Sequence, residues 1–307
     1  MANLAFIGCG AMGAPMAERL IDAGHRVRIY DPDASAVAPL IAAGATGAAS
    51  AADAVDGSEV AFACLPSPEV SHVVALAVAG CKGLRVYVEM STIGSKAIKA
   101  IAAKLADTGI SVLDSPVSGG PRGARAGTLS TMVAGSRDAF EEVKPLLEAI
   151  ARTVFYIGAT PGLAQVTKLA NNMISAAGMA VAFEVSAMAV KAGVDARVLI
   201  DTINASTGRN SATMDKFPAS VLTRSFDYGG KLATMYKDVF LCLEEARELN
   251  VPMWIGSNVV QLWFHAMTQG RGGDDYTTLI KMIEDWADVI VGGNESGPVP
   301  DRGDPRK

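Results

Sequence analysis

The chain has 307 residues, of which 32 are acidic and 27 basic, for a formal charge of −5. Half of the residues are apolar and 19% are charged, which excludes general disorder and leaves chain enough for about two folded domains. No cluster of Lys and Arg offers the phosphate-binding surface that nucleic acid requires, so no nucleic-acid partner is expected.

Apolar, strand-like runs fall at residues 3–7, 26–30, 59–65, 85–90, 110–114, 130–134 and 153–157. Ala-rich stretches with helical spacing, such as 12–23 and 95–108, lie between them. This alternation predicts an α/β Rossmann-type N-terminal domain over residues 1–162, with a parallel sheet covered on both faces. The turn-rich Gly158-Ala159-Thr160-Pro161-Gly162 ends it. One long connecting helix is expected over 163–192, opening an all-α C-terminal domain over 163–291. Breaks in that domain fall at Gly193, Gly208, Gly229-Gly230, Pro252 and Gly270 to Gly273. The tail, 292–307, is rich in Gly and Pro and nearly devoid of apolar residues, so it is expected to be disordered.

Cys9, Cys64, Cys81 and Cys242 form no C-x-x-C pair, and His25, His72 and His265 lie far apart. Neither a metal site nor a Ser-His-Asp triad is expected from them. The N-terminus lacks the basic and apolar regions of a signal peptide. The most apolar stretch, 169–190, is interrupted by Asn171, Asn172, Ser175, Glu184 and Ser186. No membrane partner is expected, and a reducing, cytoplasmic setting is.

Gly8-Cys9-Gly10-Ala11-Met12-Gly13 follows the first strand and opens a helix. In such a turn the first Gly allows the bend, the second lets backbone approach a pyrophosphate, and the third lets helix and strand pack closely. The helix N-terminus adds free N–H groups and partial positive charge. The second strand ends at Asp31, eighteen residues beyond Gly13. A carboxylate there accepts from the ribose hydroxyls of NAD and repels a 2′-phosphate, and Pro32-Asp33-Ala34-Ser35 supplies no Arg for that phosphate. NAD is therefore expected in preference to NADP. The competing reading is a Gly-rich βα turn beside an ordinary surface Asp.

Asp114-Ser115-Pro116-Val117-Ser118-Gly119-Gly120 ends a strand in a loop whose hydroxyl and bare N–H groups suit a carboxylate or phosphate. Arg122 and Arg125 are either added charge for that anion or solvated loop residues. Further on, Lys168 and Asn172 are four residues apart and share a helix face, while Asn171 points about 100° away. A lysine near a helix N-terminus opposes the dipole, which with partial burial favours the neutral amine of a general base. The alternative is a solvent-facing lysine beside two capping asparagines.

Taken together and in order, these stretches resemble the β-hydroxyacid dehydrogenase family, which includes 3-hydroxyisobutyrate dehydrogenase and tartronate semialdehyde reductase. Residues 6–17 resemble its cofactor signature, 114–129 its substrate-binding signature, 162–172 its catalytic segment, and Tyr236-Lys237-Asp238 a later Lys-Asp element. The resemblance spans about 3–286. To the NAD contacts expected from the turn at Gly8, Gly10, Ala11, Met12 and Gly13 and from Asp31, it adds Leu65, Pro66, Val70, Thr92 and Lys237. It also implies a substrate carboxylate at Ser118, Gly119 and Gly120, and Lys168 as the acid/base with Asn172 as its partner on the substrate. Two positions depart from the pattern. Ala164 replaces a glycine, and no proline follows Ser91-Thr92, where Ser95 ends the segment.

The expected activity is an NAD-dependent interconversion of a small 3-hydroxy carboxylate and its semialdehyde by hydride transfer. One alternative is a reductase acting mainly on tartronate-, succinate- or sulfonate-type semialdehydes, and another is a non-catalytic NAD-binding protein. The related 6-phosphogluconate dehydrogenases are disfavoured because no second basic phosphate cluster is present, and imine reductases because they usually lack the lysine. Arg122, Phe226, Tyr228, Lys231 and Tyr276 are expected near the substrate pocket, and Trp254 and Trp263 in the core. Residues 174–190 are apolar around most of the helix and need cover, from their own chain or from a neighbouring subunit. The resemblance implies a homodimer or homotetramer.

Overall fold

The computed structural model describes residues 1–299, so the part of the expected tail on 300–307 lies outside the described residues. The chain divides into two compact units, Met1–Leu169 and the chain from Ala170 on.

The first unit carries β1 (Asn3–Ile7), β2 (Arg26–Tyr30), β3 (Thr46–Gly47), β4 (Val60–Ala63), β5 (Val86–Glu89), β6 (Ser111–Asp114), β7 (Val117–Ser118), β8 (Leu129–Ala134) and β9 (Ala151–Gly158). They form one sheet in the order β3-β2-β1-β4-β5-β6-β8-β7, with β9 against β8. Between them run α1 (Gly13–Asp22), α2 (Ala34–Ala42), α3 (Ala51–Val55), α4 (Pro68–Val78), α5 (Ser95–Leu105), α6 (Gly120–Ala126) and α7 (Arg137–Ile150). Successive strand residues point to opposite faces, so Leu4 and Phe6 enter one core cluster while Ala5 and Ile7 enter the other. Met16, Leu20, Phe62 and Leu147 fill the first cluster, and Tyr87, Ile98 and Ile101 the second. Burying each large apolar side chain contributes about 1.5–3 kcal/mol, which is what holds helices to both faces.

The sheet is parallel-dominated, as the alternation predicts, with one reversal. Neighbours from β3 to β6 pair parallel, but β8 runs antiparallel to β6 and β7 and parallel to β9. The reason is the connection. Between Ser118 and Leu129 the chain has one seven-residue helix, α6. That reverses direction but is too short for a same-sense crossover, which takes a dozen residues or more. The two-residue strands β3 and β7 leave no periodic signature in the sequence.

The long helix is α8 (Leu163–Lys191), and its first turns belong to the first unit. The second unit continues with α9 (Ala196–Asn204), a π-helical segment Ala212–Val221, α10 (Leu232–Glu248), α11 (Trp254–Thr268) and α12 (Leu279–Ala287). Trp263 is fully buried as expected, but Trp254 at the start of α11 is 83% exposed and is no core residue. The first residue of that helix has no preceding turn to pack against. The expectation of disorder also fails over residues 292–299. There β10 (Val289–Ile290) pairs antiparallel with β11 (Gly297–Pro298), Gly292 N–H donates to Ser296 Oγ, and Val299 N–H to the Asp288 carbonyl. Glycine and proline here make a tight hairpin whose backbone bonds composition alone does not reveal.

By length and composition α8 could cross a bilayer, though 56% of its most apolar window is buried inside the chain. Ile174, Val181, Val185 and Met188 stay exposed, at 75, 54, 37 and 67%. Their spacing of seven, four and three residues puts them on one face.

Candidate active site

Gly8 adopts φ +93° and donates its N–H to the Tyr30 carbonyl at 2.9 Å, which starts the turn from β1 into α1. A methyl on Gly8 would overlap the carbonyl of Cys64, and one on Gly13 would overlap the carbonyl of Gly8. A methyl on Gly10 would meet nothing within 4 Å. Two glycines are thus demanded by packing, while the middle one keeps an open approach to the backbone. Ala11 and Met12 complete the turn, and Met12 caps α1 without a side-chain bond, with no acidic residue in the first turn. A pyrophosphate fits this cradle, since its charge finds the uncapped N–H groups at the start of α1, whose first turn holds no acidic residue.

Asp31 follows β2, and both its oxygens are engaged. Oδ2 accepts from Cys9 N–H at 2.7 Å and Oδ1 from Asp33 N–H at 2.9 Å. The carboxylate is therefore fixed beside the glycine turn, rather than loose on the surface. Leu65 and Pro66 follow β4, and Leu65 N–H donates to Ser91 Oγ at 2.7 Å. Val70 lies in the first turn of α4, its N–H on the capping hydroxyl of Ser67. Thr92 follows β5. The turn, Asp31, Leu65-Pro66 and Thr92 thus stand at the C-terminal ends of four adjacent parallel strands, where open α/β sheets bind ligands. Beneath them Glu89 is fully buried, accepting from Tyr87 Oη at 3.1 Å and Ser91 N–H at 3.0 Å. Burial pushes its pKa up to about 7, against the opposing effect of those hydrogen bonds.

Ser118 ends β7, and Gly119 and Gly120 adopt φ +128° and +61°, conformations that side chains rarely take. Their bare backbone opens α6, with no side-chain cap. Arg122 sits in that short helix. At the head of the same segment, Asp114 is buried and caps the start of α8. Its Oδ2 accepts from Gly162 N–H at 2.9 Å and Gln165 N–H at 3.0 Å, and its Oδ1 from Gln165 Nε2 at 2.7 Å. Burial raises its pKa to about 6, while these bonds pull the other way. Gln165 also accepts from Ile93 and Gly94 N–H at 2.8 and 3.0 Å and donates to the Ser91 carbonyl at 3.0 Å. One amide therefore ties the loop bearing Thr92 to the helix bearing Lys168. The sequence reading assigned Gln165 and Glu89 nothing, because their partners lie on other strands and loops. Their only local sign is a polar residue in an apolar run.

Lys168 and Asn172 are each 7% exposed, which removes the reading of a solvent-facing helix rim. Asn172 Oδ1 accepts from Asn171 Nδ2 at 3.1 Å, and its Nδ2 donates to Asp238 Oδ2 at 2.7 Å. Asp238, buried on α10, thus fixes the amide, and Lys237 Nζ lies 2.8 Å from its other oxygen. Asp238 is a further residue that the sequence reading named only within a motif. In the second unit Tyr228 packs on Tyr276 at 5.8 Å, the backbones of Lys231 and Asp275 form an isolated antiparallel bridge, and Phe226 lies under Lys281.

Residues 3–158 match the NAD binding domain of 6-phosphogluconate dehydrogenase, and residues 162–283 the NAD-binding domain of NADP-dependent 3-hydroxyisobutyrate dehydrogenase. The chain is 36% identical to an NAD-dependent L-serine dehydrogenase of Pseudomonas aeruginosa, over 92% of this chain and 98% of that one. It is 32% identical to the 2-(hydroxymethyl)glutarate dehydrogenase of Eubacterium barkeri, over 95% and 98%. The solved Mycobacterium tuberculosis 3-hydroxyisobutyrate dehydrogenase with L-serine superposes with a TM-score of 0.84 at 30% identity, covering 92% of this chain and 99% of that one.

Proposed function

The chain belongs to the β-hydroxyacid dehydrogenase family, and from that premise we propose that it interconverts a small 3-hydroxy carboxylate and its semialdehyde, with NAD as redox partner and Lys168 as proton carrier. The observation that carries this reading is the buried pair Lys168 and Asn172, one turn apart on α8, with the asparagine amide fixed by Asp238. The nicotinamide, when bound, supplies the hydride acceptor or donor. In oxidation, neutral Lys168 Nζ takes the proton of the substrate hydroxyl. In reduction, the ammonium returns it to the carbinol oxygen. Asp238 occupies one N–H of Asn172, and the other donates to the substrate oxygen. Ser118 and the backbone at Gly119 and Gly120 anchor the carboxylate, which fixes the carbon presented for transfer. Gly8, Gly10, Ala11, Met12, Gly13, Asp31, Leu65, Pro66, Val70, Thr92 and Lys237 hold the dinucleotide in this reading.

The test is Lys168→Ala, assayed against 3-hydroxyisobutyrate, glycerate, 4-hydroxybutyrate and threonate with NAD. The kcat should fall about 10²–10⁴-fold with NADH binding retained. Undiminished turnover refutes the role of Lys168, and a silent wild-type chain across the whole panel favours a binding protein.

Self-association as a homodimer or homotetramer belongs to the same reading. The support is the exposed stripe of Ile174, Val181, Val185 and Met188, with Trp254 and Ile255 exposed at the start of α11. A stripe of that size is covered most simply by a second copy. Light scattering should give a multiple of the chain mass, reduced by Val181→Asp, and a wild-type monomer ends the idea. A reducing, cytoplasmic setting fits four free cysteines, two of which, Cys9 and Cys64, burial pushes up to about 12.

A further inference from the structure

Lys216 lies in the π-helical segment Ala212–Val221 and is only 6% exposed. Its Nζ donates to Ser211 Oγ at 3.2 Å and to the Ser211 carbonyl at 3.4 Å, and it sits 5.3 Å from the centre of the Tyr228 ring. Among the described residues no carboxylate is within ion-pair distance of it. Its chain neighbour Asp215 is exposed and contributes only a field. A buried ammonium met by neutral oxygens and a ring face is costly, and burial lowers its pKa accordingly. An anion from outside the chain would remove that cost.

The place is informative. Ser211 Oγ lies 3.4 Å from Ser175 Oγ. Lys168, Asn172 and Ser175 stand at i, i+4 and i+7 on α8 and so share one face. Ser175 thus stands about one turn beyond Asn172 on that face, and its hydroxyl leads through Ser211 to the Lys216 ammonium. Tyr228, which carries that ammonium on its ring, packs in turn on Tyr276. π-Helical turns occur often at functional sites, because the widened turn places a side chain where an α-helix would not.

We propose that Lys216 holds a second anionic group of the substrate, a carboxylate or sulfonate on the arm remote from the carbinol, so that the favoured substrates are dianionic hydroxy acids. The inference rests on reading Lys168 and Asn172 as the reacting pair.

Two substrates isolate it. 2-(Hydroxymethyl)glutarate is 3-hydroxyisobutyrate with the methyl replaced by an arm ending in a second carboxylate. The wild type should favour the dianion in kcat/KM. In Lys216→Met that ratio should fall by about tenfold or more, the worth of a charge-assisted hydrogen bond, and Lys216→Arg should restore part of it. NADH titration reports that the variants are folded. A wild type without preference for the dianion, or a Lys216→Met variant that loses both substrates alike, overturns the proposal. Calorimetric titration with glutarate gives a readout independent of turnover. Wild-type binding weakened about tenfold or more in Lys216→Met supports the subsite even if the redox reading fails. No wild-type binding, or binding indifferent to the substitution, refutes it.

Discussion

Gln165 Nε2 donates to Asp114 Oδ1 across 2.7 Å, joining two fully buried side chains 51 positions apart in the sequence. The same glutamine reaches Ile93, Gly94 and the Ser91 carbonyl, while the same carboxylate takes Gly162 and Gln165 backbone N–H. The first turn of α8 is thereby bolted to the ends of β5 and β6, and Lys168 stands three residues further on.

Gln165→Leu should leave two N–H groups, one carbonyl and one carboxylate oxygen unpaired in the interior. A loss on the order of 3–5 kcal/mol is expected in denaturant unfolding. Gln165→Glu sets a second carboxylate against Asp114, whose own pKa stands at about 6. That variant should be destabilised near pH 8 and recover near about pH 5, where one proton can be shared between the two. A variant whose deficit is independent of pH would show that the two side chains do not interact as described.

The second prediction concerns Glu89. Its folded pKa of about 7 lies above the ordinary 4.5. Between those values the folded state binds more protons than the unfolded one, so stability falls as pH rises from 4.5 to about 7 and stays lower above it. Asp114 adds to the slope below about 6. Glu89→Gln keeps the hydrogen-bonding shape without the charge. It should flatten the profile and exceed the wild type near pH 8 by on the order of 3 kcal/mol, with little difference near about pH 5. Unfolding curves across this range decide the matter, and parallel profiles for the two proteins would contradict it.

A third prediction separates the packing glycines from the approach glycine. Gly13→Ala forces its methyl into the Gly8 carbonyl and should destabilise the fold by about 2 kcal/mol or more. Gly10→Ala places its methyl in open space, and should change stability by less than about 1 kcal/mol while weakening NADH about tenfold or more. Unfolding and NADH fluorescence titration, run on both variants, give the contrast. Equal NADH affinity in wild type and Gly10→Ala would remove that glycine from the cofactor contact.

The two periodicities made most of the fold legible. Strands such as Phe6-Ile7 must satisfy two core faces at once, and a 29-residue helix such as α8 allows no Gly or Pro break except one, so both show in local pattern. The glycine turn is legible for the same reason, since Gly8 needs a backbone conformation few residues accept. The reversal at β8 was not legible, because it depends on how a short helix turns the chain. The exposure of Trp254 is not legible either, because composition does not tell an end residue from an interior one.

The positions of the strands and the long helix, and the residue types able to carry a proton, an anion or a dinucleotide, are all written in local sequence. Those follow from steric rules that act over a few residues. That Asp114 caps a helix, that Gln165 ties it to the loop bearing Thr92, that Asp238 holds Asn172, and that Lys216 is buried against the Ser211 oxygens and the Tyr228 ring emerges only in the folded chain. Each of these depends on partners or surroundings brought together from distant stretches of chain, and on burial that makes an unmet polar group expensive. No local pattern encodes such a partner.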